Sequence, residues 1–554
     1  MELYSKIQNK EDRLFAYFSM EVGLNEEMQT YSGGLGILAG DTIKSFADRS
    51  VPIVCITLLN EEGYFKQQIN NYGEQIEYPY GWDKSKFTQE LENIIELDIH
   101  GRKVKIRAWE YRVKGETGYE VPIYFLDTNI EGNSDYDKTL TKHLYGGDNY
   151  YRLCQEIILG IGGIRFLESR GYNNLLKYHM NEGHAAFLTI ELLHQNNMDQ
   201  EIVKKKCVFT THTPVGAGHD VFSQEDIKKV LGDYVPEKYF HNGTLSMTYL
   251  GLNNSHFVNG VAKKHGEISQ RMFPKFNINY ITNGVHSQTW TSESFSKLFD
   301  EKIPEWRKDP FALRYAAQLY LSEVWDAHLE NKKKLIDLIR EKTGVEFDEE
   351  VFTIGFARRA TGYKRMDLIF NNIQKLIEIS NKVGKIQLVF AGKAHIKDTE
   401  GKMLIKKIWD MRFVLGKNIK LVFLENYNME LAKVLIPGVD LWLNTPKRPL
   451  EASGTSGMKA CHNAIPSLSI LDGWWIEGHM ENYTGWSIGD IDEYENDDKD
   501  AQDLYYKLEK IIMPMFYEKR DDYIKIMRNS IALNASFFNT NRMVSQYVLN
   551  AYLN

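Results

Sequence analysis

The stretch VFTIGFARRATGYKR, residues 351–365, decides how the second half of the chain is read. VFTIGFA (351–357) reads as a strand, and it runs straight into a basic segment carrying Arg358, Arg359, Lys364 and Arg365 around Gly362. Downstream the alternation is regular: helix 365–380, strand 386–391, helix 400–415, strand 419–424, helix 429–436, strand 439–443, helix 457–463, strand 467–471. Parallel strands need crossover helices, so the pattern predicts a doubly wound α/β domain. Its ligands belong at the carboxyl ends of the strands, where the basic segment stands.

Upstream, FAYFSMEVGL (15–24) reads as β-rich, and YSGGLGILAGDTIKSFADRSVPIVCITLL as a glycine loop, a helix and a buried strand. Further strands are expected at 207–211 and 278–282, with a helix at 149–169. A helical pattern from Leu313 to Arg340 ends at EKTGVEFDEE, where Gly344 and the charges suggest a linker. The expected division is therefore 1–345 and 346–525, followed by a C-terminal helix over 526–554. The acidic run GDIDEYENDDKDAQD (489–503) reads as a solvated loop and the start of a helix.

A chain of 554 residues exceeds the roughly 250–300 at which one core stops growing, which calls for more than one domain. With 43% hydrophobic and 26% charged residues it has the composition of a soluble globular protein. The net charge of −8 argues against a general nucleic-acid or membrane surface, so phosphate chemistry must be local. Four scattered cysteines without a CxxC pair suggest a reducing, cytoplasmic setting. The N-terminal MELYSKIQNKEDRLF has no apolar signal-peptide core, and IILGIGGIRFL (157–167) is too short and glycine-broken to span a bilayer.

Four motifs carry chemistry. The basic segment 356–365 has the charge to cradle one or two phosphates, although a solvated basic turn has the same composition; it lacks GxxxxGK[ST] and is no Walker A loop. In YSGGLGILAGD (31–41) Gly33, Gly34 and Gly36 let backbone amides approach a ligand, or make a tight turn. The histidines of YHMNEGH (178–184), TTHTPVGAGHD (211–220), VNGVAKKHGEI (258–268) and TNGVHSQTW (282–290) fit neither HExxH nor a zinc pattern. No metal is predicted there; neutral hydrogen bonds to a sugar, or structural roles, are the readings left. In LEASGTSGMKACHNAIP (450–466) Lys459 follows Gly454-Thr455-Ser456-Gly457 at the expected start of a helix. An amine beside an anion site suits pyridoxal phosphate, but read alone the spacing favours a surface lysine on the first turn of a helix.

Taken together these residues resemble the glycogen, starch and maltodextrin phosphorylases. EASGTSGMKACHN is similar to the family's pyridoxal-phosphate attachment signature, and YFSMEVGL, GGLG, NEGH, THT, VNGVAKKHGEI, TNG, RRATGYKR, AGKA, ENY and LDG follow in the family's order over roughly residues 15–480. The resemblance implies a GT-B fold, two Rossmann-like domains with a central cleft, the first binding glucan and the second pyridoxal 5'-phosphate. The C-terminal helix would then pack back on the first domain. Lys459 would form the Schiff base, with Arg358, Tyr427, Thr455 and Ser456 at the cofactor. Arg359 and Lys364 would bind the substrate phosphate, aided by Gly34 and Leu35. Glu451, Ala452, Ser453 and Gly454 would contact the glucosyl hydroxyls, His265 would face the sugar at the cleaved bond, and Asp148 and His184 would line the cleft.

The implied reaction is reversible phosphorolysis of an α-1,4-glucan or maltodextrin from its non-reducing end, giving α-glucose 1-phosphate with retention. Partners would be glucan and inorganic phosphate, with no nucleic acid and no membrane; a homodimer is open. Departures stand at Ser32, Arg358, LDGWW and NGVHSQTW. The chain starts close to the YFSMEV strand, from which an enzyme without phosphorylation control is expected. Competing readings are a nucleotide-sugar glycan synthase of the same fold, a non-catalytic glucan-binding homologue and a pyridoxal-dependent aminotransferase. The first has no use for Lys459, the second no reason to retain Arg359, Lys364, Glu451 and Lys459, and the third no use for the GT-B pattern.

Overall fold

The computed structural model describes residues 13–215, 219–491 and 496–554. The N-terminal segment 1–12, the GAG of TTHTPVGAGHD and part of the acidic run lie outside the described residues. The chain forms two compact units. One takes in residues up to Phe65, Pro79–Thr282 and Met543–Asn554; the other takes Lys66–Tyr78 and Asn283–Arg542.

In the second unit six strands lie side by side in the order Lys420–Leu424, Ile386–Ala391, Phe352–Ala357, Leu441–Asn444, Ser467–Ile470, Gly485–Ile488. Every adjacent pair is parallel. VFTIGFA thus sits mid-sheet with all of Phe352–Ala357 buried. The chain winds outward from it in one direction, then returns to wind in the other, so the topological switch point lies between Phe352–Ala357 and Leu441–Asn444. The sixth strand, GWSI, has no counterpart in the sequence reading; four residues led by glycine carry no period.

Two boundaries moved for identifiable reasons. The helix expected at 365–380 is replaced by the single turns Gly362–Lys364 and Leu368–Phe370, followed by helix Ile373–Lys382. Arg365 takes a left-handed φ of 45° while its guanidinium turns inward to the carbonyls of Thr445 and Pro446, both at 2.9 Å. Helix Leu321–Thr343 belongs to the second unit, so the change of unit falls after Thr282, upstream of 345. His328 and Lys332 of this helix meet the buried Asp440 at 2.9 and 2.6 Å, just before strand Leu441–Asn444. Gly344, read as linker, caps that helix with φ 69°.

The first unit repeats the winding. Its parallel strands run Asn279–Tyr280, Phe257–Gly260, Cys207–Thr210, Lys177–Asn181, Phe15–Ser19, Ile53–Leu58, Glu120–Asp127. The long antiparallel strand Arg102–Lys114 then extends the sheet, carrying Gln89–Glu90 and Ile95–Ile99. Both sheets are therefore Rossmann-like, as expected, while the antiparallel extension was unforeseen. The C-terminal helical stretch is broken: Arg520–Asn529 and Ser530–Ala535 stay with the second unit. Met543, Val544, Tyr547 and Tyr552 instead fill the first unit's core, and the Tyr552 hydroxyl meets His179 Nδ1 at 2.7 Å. No helix among the described residues is long and apolar enough to cross a membrane.

Candidate active site

At the switch point of the second unit three predicted residues converge. Arg358, the residue after strand Phe352–Ala357, donates to Asn444 Oδ1 at the end of the neighbouring strand and to Glu451 Oε2. Lys364 Nζ donates to the same Glu451 oxygen at 2.8 Å. Burial alone would raise the Glu451 carboxyl, but Arg358 and Lys364 outweigh it and hold the group down at about 2. Two cations assigned to phosphates thus share one carboxylate assigned to sugar.

Arg359, between them in sequence, is exposed, and no hydrogen bond or ion pair engages it among the described residues. It is a cation left facing outward at a strand end. Asn444 did not stand out in the sequence, and Asp472 stood in the LDG motif without an assigned role. Asp472, after strand Ser467–Ile470, accepts the Glu451 amide at 2.8 Å and the Gly473 amide at 2.9 Å. Burial pushes its carboxyl up to about 7; the Glu451 amide opposes this and the Glu451 charge adds to it. Gly473 has φ 56°, and a Cβ there would lie 2.4 Å from the Ser453 carbonyl oxygen. The Trp474 amide donates to that same oxygen at 2.9 Å. The LDGW turn therefore clamps the backbone of the loop bearing Glu451, Ala452 and Ser453.

Beyond this loop Gly454 adopts φ 85° and the short helix Thr455–Cys461 begins. The Ser453 hydroxyl is buried without a partner among the described residues, whereas Ser456 Oγ accepts Trp442 Nε1–H at 3.1 Å. Lys459 is buried and takes a different neighbour from Lys364: its amine lies 3.5 Å from the ring centroid of Trp290. Asn463 ties the pair, donating to the carbonyls of Trp290 at 2.7 Å and Lys459 at 2.9 Å. The asparagine that ends the attachment signature is the sequence's trace of this link; Trp290, in NGVHSQTW, gave none. Tyr427 sits on the loop after strand Lys420–Leu424.

In the first unit Gly34 and Leu35 open helix Gly34–Asp48, and a Cβ on Gly33 or Gly34 would meet open space. Beneath the loop Glu21 Oε2 accepts the amides of Ser32 and Gly33 at 2.5 and 3.3 Å, and Tyr145 donates to its other oxygen at 2.9 Å. Ser32, a departure from the family pattern, thereby joins the hydrogen-bonded support of the glycine loop.

Histidines of three of the four motifs gather around His212, while His286 of TNGVHSQTW lies in the second unit. Burial lowers it to about 3, and His265, His179 and His184 push the same way. His212 is fixed by Asn181 Oδ1 at 2.6 Å and by Glu182, which accepts its amide at 2.7 Å while holding a φ of 75°. His265 is fully buried, and its Nδ1 accepts the Val261 amide at 3.1 Å. Burial brings it down to about 4. His184 Nε2 faces Asp220 at 3.3 Å. Asp148 does not join this group: it is exposed, caps helix Asn149–Ile157, and lines an open cavity of about 530 Å³ with Tyr136 and Tyr150. Among the described residues no group of three or more His, Cys, Asp or Glu could hold a metal ion.

A profile of the carbohydrate phosphorylases matches residues 235–513. The maltodextrin phosphorylase of Thermococcus litoralis is 38% identical, the match covering 96% of this chain and 69% of that protein. The glycogen phosphorylase of Aquifex aeolicus is 32% identical over 100% of this chain and 88% of its own. That of Mycobacterium tuberculosis is 33% identical over 97% and 70%.

Proposed function

The chain belongs to the carbohydrate phosphorylase family, and on that premise we propose that it is an α-glucan phosphorylase, a glycosyltransferase that reversibly transfers non-reducing-end glucose from glycogen, starch or maltodextrin to inorganic phosphate. The observation that carries the reading is the convergence of Arg358 and Lys364 on Glu451 at the switch point, with Arg359 left unpaired beside them.

Phosphorolysis brings a phosphate dianion next to a sugar whose anomeric carbon gains positive charge. Arg359 is free to take the anion without breaking an existing pair. Lys364 and Arg358 reach it by sharing their donors between Glu451 and the phosphate, since each cation has several N–H groups. Glu451, held ionised, keeps acceptor capacity for sugar hydroxyls, and the buried unpartnered Ser453 hydroxyl is offered to the same ligand. In the first unit Gly34 and Leu35 would offer backbone amides, and His184 and Asp148 would contact glucan. His265 is a wall of the sugar site rather than a proton carrier, because its neutral buried ring already receives the Val261 amide.

The chain also has the means to hold pyridoxal phosphate. A buried primary amine, Lys459, follows four small residues, and a Cβ on Gly457 would lie 2.7 Å from Trp474, so no bulk can be added there. Lys459 would anchor the cofactor, with Arg358, Tyr427, Thr455 and Ser456 around it. When bound, the cofactor supplies a second phosphate able to exchange protons with the substrate phosphate.

The test is release of glucose 1-phosphate from maltodextrin with and without inorganic phosphate, beside absorbance of the purified protein before and after borohydride. Phosphate-dependent product and a label on Lys459 are expected. Sugar release that is indifferent to phosphate overturns the assignment.

A further inference from the structure

The hairpin of Lys66–Ile69 and Gln75–Tyr78 inverts the polarity usual for a surface hairpin. Ile76 and Tyr78 are exposed, while Gln67 and Gln75 point inward and are 0% and 7% exposed. Buried amides are costly unless their groups are bonded, and here they are. Gln75 Oε1 accepts the Ala394 amide at 3.0 Å, and its Nε2 donates to the Ala394 carbonyl at 2.9 Å. Gln67 Nε2 donates to the Gly392 carbonyl and to Gln75 Oε1, both at 2.8 Å. Gln67 Oε1 accepts the Asn426 amide, also at 2.8 Å.

What these side chains grip is main chain at the strand ends of the second unit. Residues 392–394 follow strand Ile386–Ala391, and they continue its pairing into the basic segment. The Arg358 amide donates to the Ala391 carbonyl at 3.3 Å and the Ala360 amide to the Lys393 carbonyl at 3.0 Å. Gly392 has φ 150°, and a Cβ on it would lie 2.1 Å from the Arg358 carbonyl oxygen. The backbone on both sides of Arg359 is therefore set by Ala391 and Lys393, and the two glutamines hold the same segment at Gly392 and Ala394.

We infer that Gln67 and Gln75 are positioning residues for inorganic phosphate: through residues 392–394 they fix the backbone from which Arg358 and Arg359 reach the anion. The inference rests on the phosphorylase reading of that basic segment. Its sequence signature is the buried-polar, exposed-apolar alternation of KQQINNYGEQIEY. The hairpin has independent moorings, Lys402 to Glu77 at 2.7 Å and Lys406 to the Tyr72 carbonyl at 2.6 Å. Loss of one glutamine's bonds therefore leaves it docked.

The test titrates inorganic phosphate into the purified full-length enzyme by calorimetry, comparing wild type, Gln75→Met, Gln67→Met and the outward-facing control Ile76→Ala. Each methionine variant should weaken phosphate binding about tenfold, as expected for losing buried hydrogen bonds at a preorganised site. The KM for maltodextrin should stay unchanged, and Ile76→Ala should match wild type. Either glutamine variant suffices where the other does not fold. Wild-type phosphate affinity in a folded methionine variant overturns the inference, as does an equal rise in the maltodextrin KM, which would mean general loosening. A wild type that binds no phosphate removes the phosphorylase reading itself and this inference with it.

Discussion

Lys364 Nζ lies 2.8 Å from Glu451 Oε2, an oxygen that Arg358 also contacts, so the strongest charges of the second unit's switch point are balanced by one buried carboxylate. Removing that charge leaves two poorly solvated cations. Glu451→Gln should cost about 3 kcal/mol in stability, the usual scale for breaking a buried pair, and added phosphate should restore more stability to the variant than to wild type. Thermal unfolding with and without phosphate reads both effects. A variant that phosphate does not rescue would show that the two cations do not face the anion.

Arg359 has no such obligation. Arg359→Ala should leave the melting temperature within about 1–2 °C of wild type, as for a surface substitution, and raise the KM for phosphate at least tenfold. Steady-state kinetics at varied phosphate decides it, and an unchanged KM takes Arg359 out of the phosphate site.

Lys459→Ala should yield protein without the absorbance of bound pyridoxal phosphate and without activity. Trp290→Leu removes the ring over which the amine lies, so the cofactor should bind more weakly while Lys459 remains its attachment point. Absorbance after dialysis distinguishes the two; a dialysed Lys459→Ala enzyme that retains cofactor contradicts the assignment.

Burial raises the Asp472 carboxyl toward neutrality. Its folded value is raised to about 7 from 3.8. Its contribution to stability is thus complete below pH 3.8, declines as pH rises toward 7 and is constant above. In Asp472→Asn this decline is absent. Unfolding free energies of both proteins between pH 4 and 8 should therefore differ in slope below 7 and run parallel above it; parallel curves throughout would place the titration elsewhere.

The buried histidines work in the opposite sense. His179 and His212 are lowered by burial to about 3 and His265 to about 4, from 6.5. Their neutral forms favour folding above pH 6.5, and that contribution is lost as pH falls toward about 4 for His265 and about 3 for His179 and His212. Acidification should unfold the first unit in this window, and His212→Gln should shift the midpoint to lower pH. Tryptophan fluorescence or circular dichroism along an acid titration gives the answer.

Much of this molecule is legible in its sequence. VFTIGFA and its successors announced a parallel sheet because strands buried on both faces are apolar throughout and need crossover helices, and five of the second unit's six strands were read from that alone. Arg358, Lys364 and Glu451 were named from motifs, and the structure brings the three into contact. Asp472 and Trp290 stood inside quoted motifs without a role and Asn444 outside them, because their importance comes from partners that a linear reading does not supply. The hairpin at 66–78 was missed for a related reason: buried glutamines read as surface residues when composition is the guide.

Local chemistry, then, was settled by the sequence: which segments could be strands, where cations and glycines cluster, which lysine follows a run of small residues. Pairing was decided only by the tertiary structure. That Arg358 and Lys364 are bound by Glu451 while Arg359 is left unpaired depends on where strand ends and loop backbones meet. So does Lys459 choosing Trp290, and so do two glutamines near residue 70 gripping main chain beyond residue 390. A hydrogen bond or ion pair requires approach within about 3 Å in a set direction, and only the folded chain fixes that distance between residues hundreds of positions apart.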